Sequence, residues 1–260
     1  MEALLDRRAF PGPSIDAAAA GLGFPGLARF DGCLVATAWA RRDVEALLPE
    51  ELELAPNVSA APDVHPVVFV FGEHHGGTAV YGGLTVPLAV DYGEFVLAVP
   101  FARVRGGPHL HVWVPRMFSS YFPATWSGNV YYGFTKDMAR MTWHGPVWVM
   151  TGETGELLVH AAVEPAADWS PARLASAHLD PLRAIFALPL VGRRADGTLV
   201  TSYFGWDFAD AAVRRVGAEV SLDGTLVPGL APRRCHAVPG GAFEVRNLVW
   251  RLSWPAACRP

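Results

Sequence analysis

Residues 66–71 read PVVFVF, an unbroken apolar run whose length and content of β-branched and aromatic residues are typical of a buried strand. Residues 109–114 (HLHVWV) alternate with a period of two, and residues 243–253 (FEVRNLVWRLS) have the composition of a last strand. Asp-Gly pairs at 196–197 and 223–224 mark turns between such runs. Short strands at this spacing predict an antiparallel β sandwich or barrel.

Helices are expected to be few and short. Residues 42–48 (RDVEALL) predict one helix, with Asp43 as its N-cap, and residues 171–178 predict a second. Residues 121–131 mix aromatic residues with turn formers, and residues 1–30, rich in Gly, Pro and Ala, are expected to form an irregular lead-in. Because no long linker and no internal repeat interrupts the pattern, we assign all 260 residues to a single domain.

The composition excludes several classes of function. Hydrophobic residues make up 51% of the chain and charged residues 18%, which favours a folded core over disorder. A net charge of −4 lacks the positive charge that nucleic-acid binding requires, so no nucleic-acid partner is expected. No apolar run approaches the ~20 residues of a membrane-spanning helix. The N-terminal residues lack the apolar core of a signal peptide, so a cytoplasmic location is expected, with no membrane partner.

Lysine occurs once in the chain, at Lys136, among 21 basic residues. An amine can lose its proton and attack a carbonyl group, whereas a guanidinium cannot, so a lysine in an arginine-rich protein is a candidate nucleophile. Tyr132, Phe134 and Met138 surround it with apolar groups, which would lower the pKa of the amine and could contact a substrate. Arg140 would add a neighbouring positive charge if this segment were helical. The alternative is a lysine on a solvated surface.

The segment NVYYGFTKDMAR, residues 129–140, resembles the active-site segment of acetoacetate decarboxylases. In that family an aromatic residue, a proline and two adjacent lysines precede an apolar residue, and the first lysine forms the Schiff base; Lys136 occupies its position. Thr135 replaces the proline and Asp137 replaces the second lysine. The resemblance thus implies imine chemistry at Lys136. Because Asp137 replaces the second lysine, plain acetoacetate decarboxylation is the weaker prediction within this class. Asp137 could instead act as an acid or base in aldol-type chemistry.

Other segments extend the resemblance over most of the chain. Residues 48–54 (LPEELEL) resemble an early helix-to-strand motif of the family, and residues 188–197 resemble a later strand and its Asp-Gly turn. Residues 91–94 (DYGE) resemble an element whose glutamate, here Glu94, faces the active site and could position substrate or move protons. The family's substrate-binding arginine aligns with Cys33. Arg29, Arg41 or another arginine could replace it, and the sequence does not assign which.

From this resemblance we expect a mostly β fold of two curved antiparallel sheets forming a cone-like barrel, with short peripheral helices. The expected function is that of a lyase acting on a small keto acid through a Schiff base at Lys136, with decarboxylation and aldol or dehydration steps both open. Such chemistry needs no cofactor. The family also implies a homo-oligomer.

Two other functions remain open at the level of sequence. A non-catalytic protein could use the same barrel to bind a small apolar acid, with a permanently protonated Lys136 as the carboxylate anchor. A metal-dependent enzyme could use His74, His75, His109 and His111 as ligands, since the two histidines of an HxH pattern on a strand share one face. The sequence around that pattern lacks the glutamate expected at residues 114–115 in a cupin-like metal motif, so our main prediction includes no metal.

Overall fold

The computed structural model describes residues 23, 25–56, 58, 61–81, 84–88 and 90–258. Most of the predicted lead-in, at residues 1–22 and 24, lies outside the described residues. Strands dominate the described part of the chain. They are β1 (Gly26–Ala40), β2 (Leu52–Leu54), β3 (Val64–Tyr81), β4 (Leu84–Pro87), β5 (Tyr92–Val104), β6 (His111–Ser119), β7 (Lys136–Met138), β8 (Arg140–His144), β9 (Val147–Thr151), β10 (Leu157–Pro165), β11 (Ser170–Pro171), β12 (Leu190–Arg193), β13 (Leu199–Ser202), β14 (Phe204–Asp207), β15 (Ala212–Leu222), β16 (Arg233–Leu252) and β17 (Ala256–Ala257).

These strands form one connected and mainly antiparallel sheet, which confirms the predicted mostly β fold. Strand β1 pairs with β3 on one side and with β16 on the other, and β3 continues the sheet through β5 to β6. Two parallel pairings, β6 with β7 and β6 with β12, bring later segments against the edge of β6. Strand β7, which begins with Lys136, is thus held in place by a parallel pairing with β6.

The long central strands are buried on both faces. Along β3, Val67, Phe69 and Phe71 pack into one hydrophobic cluster, while Val68 and Val70, between them, pack into a second. Because side chains alternate across a strand, a strand between two cores must be apolar at every position. This explains the unbroken run at residues 66–71.

Two glycines allow β1 and β3 to approach each other unusually closely. Gly32 and Gly72 face each other in the register of the two strands. A Cβ atom on Gly32 would lie 2.3 Å from the carbonyl oxygen of Phe71, and one on Gly72 would lie 2.2 Å from that of Asp31. Neither position can therefore hold a side chain without moving the backbone.

The helices in the described residues, α1 (Arg41–Glu45), α2 (Phe122–Tyr132) and α3 (Ser176–Phe186), differ from those predicted. Helix α1 is shorter than residues 42–48, and Asp43 was wrong as its N-cap: Ala40 holds that position, and Asp43 lies inside the first turn, where it pairs with Arg233 at 3.1 Å. Helix α3 begins later than residue 171, because Ser170–Pro171 pair with β15 as strand β11.

Helix α2 was not predicted. Its aromatic and small residues are weak helix formers, so tertiary packing outweighs their intrinsic preference. Two signals do fit its bounds: Pro123 lies near the start, and Gly133 caps the end with a positive φ of 64°. No helix in the described parts of the chain combines the length and the apolar character needed to cross a bilayer.

Candidate active site

Helix α2 and strand β7 position Lys136 through a side-chain clamp on its backbone. Asn129, in the last turn of α2, donates from Nδ2 to the carbonyl oxygen of Lys136 at 2.7 Å and accepts at Oδ1 from its backbone N–H at 2.8 Å. Strand β7 also pairs with β6, where Met117 lies opposite Lys136. Gly128 leaves room for the lysine side chain, since a Cβ there would approach its Cδ to 3.1 Å. These contacts fix the point from which the amine extends.

The lysine side chain points into the protein and meets Glu94. Lys136 is 6% exposed and Glu94, on β5, is 8% exposed. The lysine Nζ donates a hydrogen bond to Oε1 of Glu94 in a direct ion pair. Burial alone would raise the pKa of Glu94, but the charge on Lys136 and the imidazole of His74 outweigh it and lower the pKa to about 2. Glu94 is therefore an ionised carboxylate in the resting site.

A second partner approaches the other oxygen of this carboxylate. Nε2 of His74, on β3, lies 3.3 Å from Oε2 of Glu94, within ion-pair distance but outside hydrogen-bond geometry. The indole N–H of Trp250, on β16, donates to Nδ1 of His74 at 2.7 Å. An indole nitrogen can only donate, so Nδ1 has to be the unprotonated nitrogen, and the imidazole proton sits on Nε2, facing Glu94. Tyr92 stacks on the imidazole ring with 4.7 Å between the ring centroids.

Sequence reasoning missed the roles of three of these residues. His74 was considered only as a metal ligand, and Trp250 and Asn129 only as parts of the last strand and of the lysine segment. The pairing of β1 with both β3 and β16 brings His74 and Trp250 together, and no local sequence pattern encodes that contact. Asn129 did carry a signal, since a polar residue beside the end of a helix often bonds to backbone groups.

The Lys136 side chain reaches a cavity of about 300 Å³. Its described lining residues are mostly aromatic or small and apolar, and Lys136 and Glu94 are the charged groups among them. The predicted substrate-binding residues Tyr132 and Phe134 lie in the wall, where their rings stack with 5.7 Å between centroids. The other aromatic residues of the wall are Tyr92, Tyr121, Tyr131, Phe204, Trp250 and Trp254.

The remaining predicted site residues of the lysine segment lie outside this cavity wall. Met138 accepts a hydrogen bond at its sulfur from Thr125, at 3.3 Å. Asp137 follows Lys136 on a strand, so its side chain points to the opposite face, where it is exposed and forms an ion pair with Arg116. Arg140 is exposed on β8. Its predicted closeness to Lys136 required a helix, whereas Lys136 lies on strand β7 and Arg140 begins the separate strand β8.

The residues considered for substrate carboxylate binding do not line the cavity either. Cys33 is fully buried in one hydrophobic cluster, and burial raises the pKa of its thiol strongly. Arg29 is exposed, and Arg41 forms an ion pair with Glu45 at 2.9 Å. No arginine occurs among the described residues that line the cavity.

The four histidines considered as metal ligands are not gathered at one site. His74 faces Glu94, His75 pairs with Asp91 at 3.1 Å, and Nε2 of His111 lies 3.8 Å from the sulfur of Cys258. Within the described ranges, no three His, Cys, Asp or Glu side chains are grouped as metal ligands.

Comparison with known proteins adds information about the fold. No family model matches the sequence, and no curated protein matches it. An acetoacetate decarboxylase from Legionella pneumophila superposes with a TM-score of 0.58 at 13% identity, over 96% of this chain and 92% of that one. The enduracididine biosynthesis enzyme MppR, complexed with pyruvate, superposes with a TM-score of 0.55 at 16% identity, over 91% of each chain.

An acetoacetate decarboxylase-like enzyme from Sphingomonas wittichii gives a TM-score of 0.56 at 12% identity, over 90% of this chain and 93% of that one. All three similarities span nearly the whole of both chains. The chain therefore has the acetoacetate decarboxylase-like fold that the resemblance in sequence predicted, in a strongly diverged sequence.

Proposed function

We propose that this protein is a lyase whose Lys136 forms a Schiff base with a small keto acid. The observation that carries the proposal is the buried Lys136–Glu94 pair at the wall of an apolar cavity, since a lysine in such surroundings is a candidate for a functional site. The solved structures of similar fold support the class of substrate: one is an acetoacetate decarboxylase, and MppR is described in complex with pyruvate.

Glu94 supplies the proton transfer that imine formation needs. It accepts a proton from the Lys136 ammonium, and the resulting amine attacks the substrate carbonyl carbon to give a carbinolamine. Glu94 then returns that proton to the carbinolamine hydroxyl, water leaves, and a protonated imine forms. The ion-pair contact places the carboxylate within direct reach of the reacting nitrogen.

The protonated imine then acts as an electron sink for the neighbouring carbon–carbon bond. From a 3-keto acid, carbon dioxide leaves and the bonding electrons form an enamine. Protonation of its carbon, followed by attack of water on the imine carbon, frees a ketone and Lys136. From an aldol substrate, Glu94 takes the proton of the hydroxyl group, an aldehyde departs, and the electrons of the broken bond again form an enamine. Asp137 has no step in this mechanism because its side chain lies on the opposite face of β7.

Reductive trapping tests the proposal. The protein is incubated with pyruvate, acetoacetate and related keto acids in the presence of borohydride, and its intact mass is measured. Since Lys136 is the one lysine, only its amine and the N-terminal amine can form a reducible imine. We expect an adduct that peptide mapping places on Lys136. The Lys136→Arg variant should keep only the N-terminal background, and a folded wild-type protein without any Lys136 adduct would refute the imine mechanism.

A second candidate function is binding without catalysis. Lys136 already has a counter-ion in Glu94, an arrangement that also suits a fixed charge in a binding site. A keto acid that raises the melting temperature but leaves no adduct on Lys136 would favour this reading.

A further inference from the structure

We propose that a second, smaller cavity beside Glu94 binds an unbranched apolar chain of the substrate, so that the enzyme prefers keto acids extended by a short alkyl chain. This side cavity has a volume of about 60 Å³ and lies between the sheet and the segment that runs from α3 into β12. Strands β3, β5 and β6 supply one wall, and Ile185, Phe186, Leu188 and Trp206 contribute to the other. The identity of the ligand rests on the proposed function, but the cavity itself does not.

The side cavity and the main cavity share four lining residues, Glu94, Met117, Leu190 and Phe204. Glu94 contacts the reacting nitrogen, and Met117 lies opposite Lys136 in the strand register. A methionine side chain is unbranched and adapts its shape easily. A substituent on the imine carbon can therefore pass Met117 from the main cavity into the side cavity.

The chemistry of the walls selects an apolar occupant. Apart from the indole N–H of Trp206, the polar side-chain groups among the described lining residues belong to His74 and Glu94, which face each other. The other walls are aliphatic or aromatic, so a polar substituent placed there would lose its hydrogen bonds to water without replacement. An alkyl chain would instead gain contacts with them.

The volume sets the length of that chain. A water molecule in the liquid occupies about 30 Å³, so this space corresponds to roughly two waters, or to a chain of about two to three carbon atoms. Burying each methylene improves binding by about four-fold. Beyond the carbons that fill the side cavity, a longer chain should bring no further gain.

A homologous series tests this inference. The concentration that gives half-maximal trapping on Lys136 is measured for straight-chain 2-oxo acids from pyruvate to 2-oxooctanoate. We expect it to fall about four-fold per methylene over the two or three carbons that occupy the side cavity, and then to level off. Half-maximal concentrations that are equal across the series would overturn the proposal.

Two variants change the side cavity in opposite directions. Ala98→Val enlarges a wall side chain on β5, makes the cavity smaller and should abolish the gain in trapping with chain length. Val114→Ala, on β6, makes the cavity larger and should shift the best-trapped acid to a longer chain. The matched control is Ala79→Val, which makes the same substitution in the wall of the main cavity. It should weaken the trapping of all acids to a similar degree. Thermal unfolding confirms that each variant folds. If Ala98→Val and Ala79→Val give the same chain-length profile, the side cavity does not hold the chain.

The same question can be asked without imine formation. Straight-chain carboxylates from propanoate to octanoate have no keto group, and their stabilisation of the folded protein is measured as a shift in melting temperature. A chain-length dependence that Ala98→Val removes would support the side cavity even if no keto acid were trapped, in which case only the proposed imine chemistry would fail. Shifts that do not depend on chain length in the wild-type protein would count against the side cavity.

Discussion

Trp250 lies 176 positions after His74, yet its indole N–H determines which nitrogen of that histidine carries the proton. The same histidine ring is held by stacking against Tyr92, and its protonated nitrogen faces Glu94. The N–H of the imidazole, which carries a partial positive charge, is thereby held beside the carboxylate that contacts the lysine amine. At the scale of single residues, the orientation of the imidazole that faces Glu94 depends on a residue far from both in the sequence.

Removing the indole N–H should slow imine formation. In Trp250→Phe, His74 can place its proton on either nitrogen, so Glu94 is no longer always faced by a donor. We expect the rate of trapping with pyruvate to fall by roughly five-fold, the equivalent of about 1 kcal/mol for the lost hydrogen bond from Trp250 to His74, and the pH profile of that rate to shift. The control is Trp254→Phe, which alters another tryptophan in the same cavity wall. Equal rates in the two variants would remove Trp250 from this role.

At the scale of elements, the short strand β7 depends on α2 for its position. Three residues form few ladder bonds of their own, and the Asn129 side chain supplies two hydrogen bonds to the backbone of Lys136. The sequence predicted that Lys136 is functional but placed Arg140 beside it by assuming a helix. The segment is extended because β6 offers a free edge to pair with, a nonlocal contact that outweighs local preference.

Asn129→Ala tests this dependence. The partly buried N–H and C=O of Lys136 would each lose a partner, so the free energy of unfolding should fall by about 1 to 3 kcal/mol, measured by urea denaturation. Trapping on Lys136 should fall in the folded protein as well, because the amine is no longer held against Glu94. Ser127→Ala, in the same helix, removes only a bond of 3.4 Å to Ala124 and should change stability little. An Asn129→Ala variant as stable as this control would contradict the clamp.

Across the whole molecule, the mostly β fold and the buried central strand were predictable because apolar periodicity is a local signal. The family-like segments also located Lys136 and Glu94. The pairing of β1 with both β3 and β16 was not predictable from local patterns. The contact between His74 and Trp250 depends on this pairing, so it was not predictable either. Helix α2 was missed because packing, rather than helix preference, stabilises its residues.

Two buried histidines should make the folded protein sensitive to acid. Burial, partly opposed by a hydrogen bond to Pro100, lowers the pKa of His65 to about 4, and burial likewise lowers the pKa of His111 to about 4. Because these values lie below the unfolded value of about 6.5, the unfolded chain takes up protons first as pH falls. The free energy of unfolding should therefore decrease between about pH 6.5 and pH 4, by at most roughly 3 kcal/mol for each histidine.

Urea denaturation across this pH range measures the effect. In His65→Gln, where an amide can still donate to the carbonyl oxygen of Pro100, the loss of stability should be about half that of the wild type. The exposed His144 provides the control, and His144→Gln should leave the slope unchanged. A wild-type stability that is flat over this range would show that neither buried histidine resists protonation.

The Lys136–Glu94 ion pair has a further consequence for the proposed reaction. The resting nitrogen carries one positive charge, and the protonated imine carries one as well, so the charge on the nitrogen beside Glu94 is the same before and after imine formation. Water leaves, but no proton has to be exchanged with the surrounding buffer. The buried carboxylate thus keeps a cationic neighbour in the resting and imine states, and the protein is spared the large cost of an isolated charge in its interior.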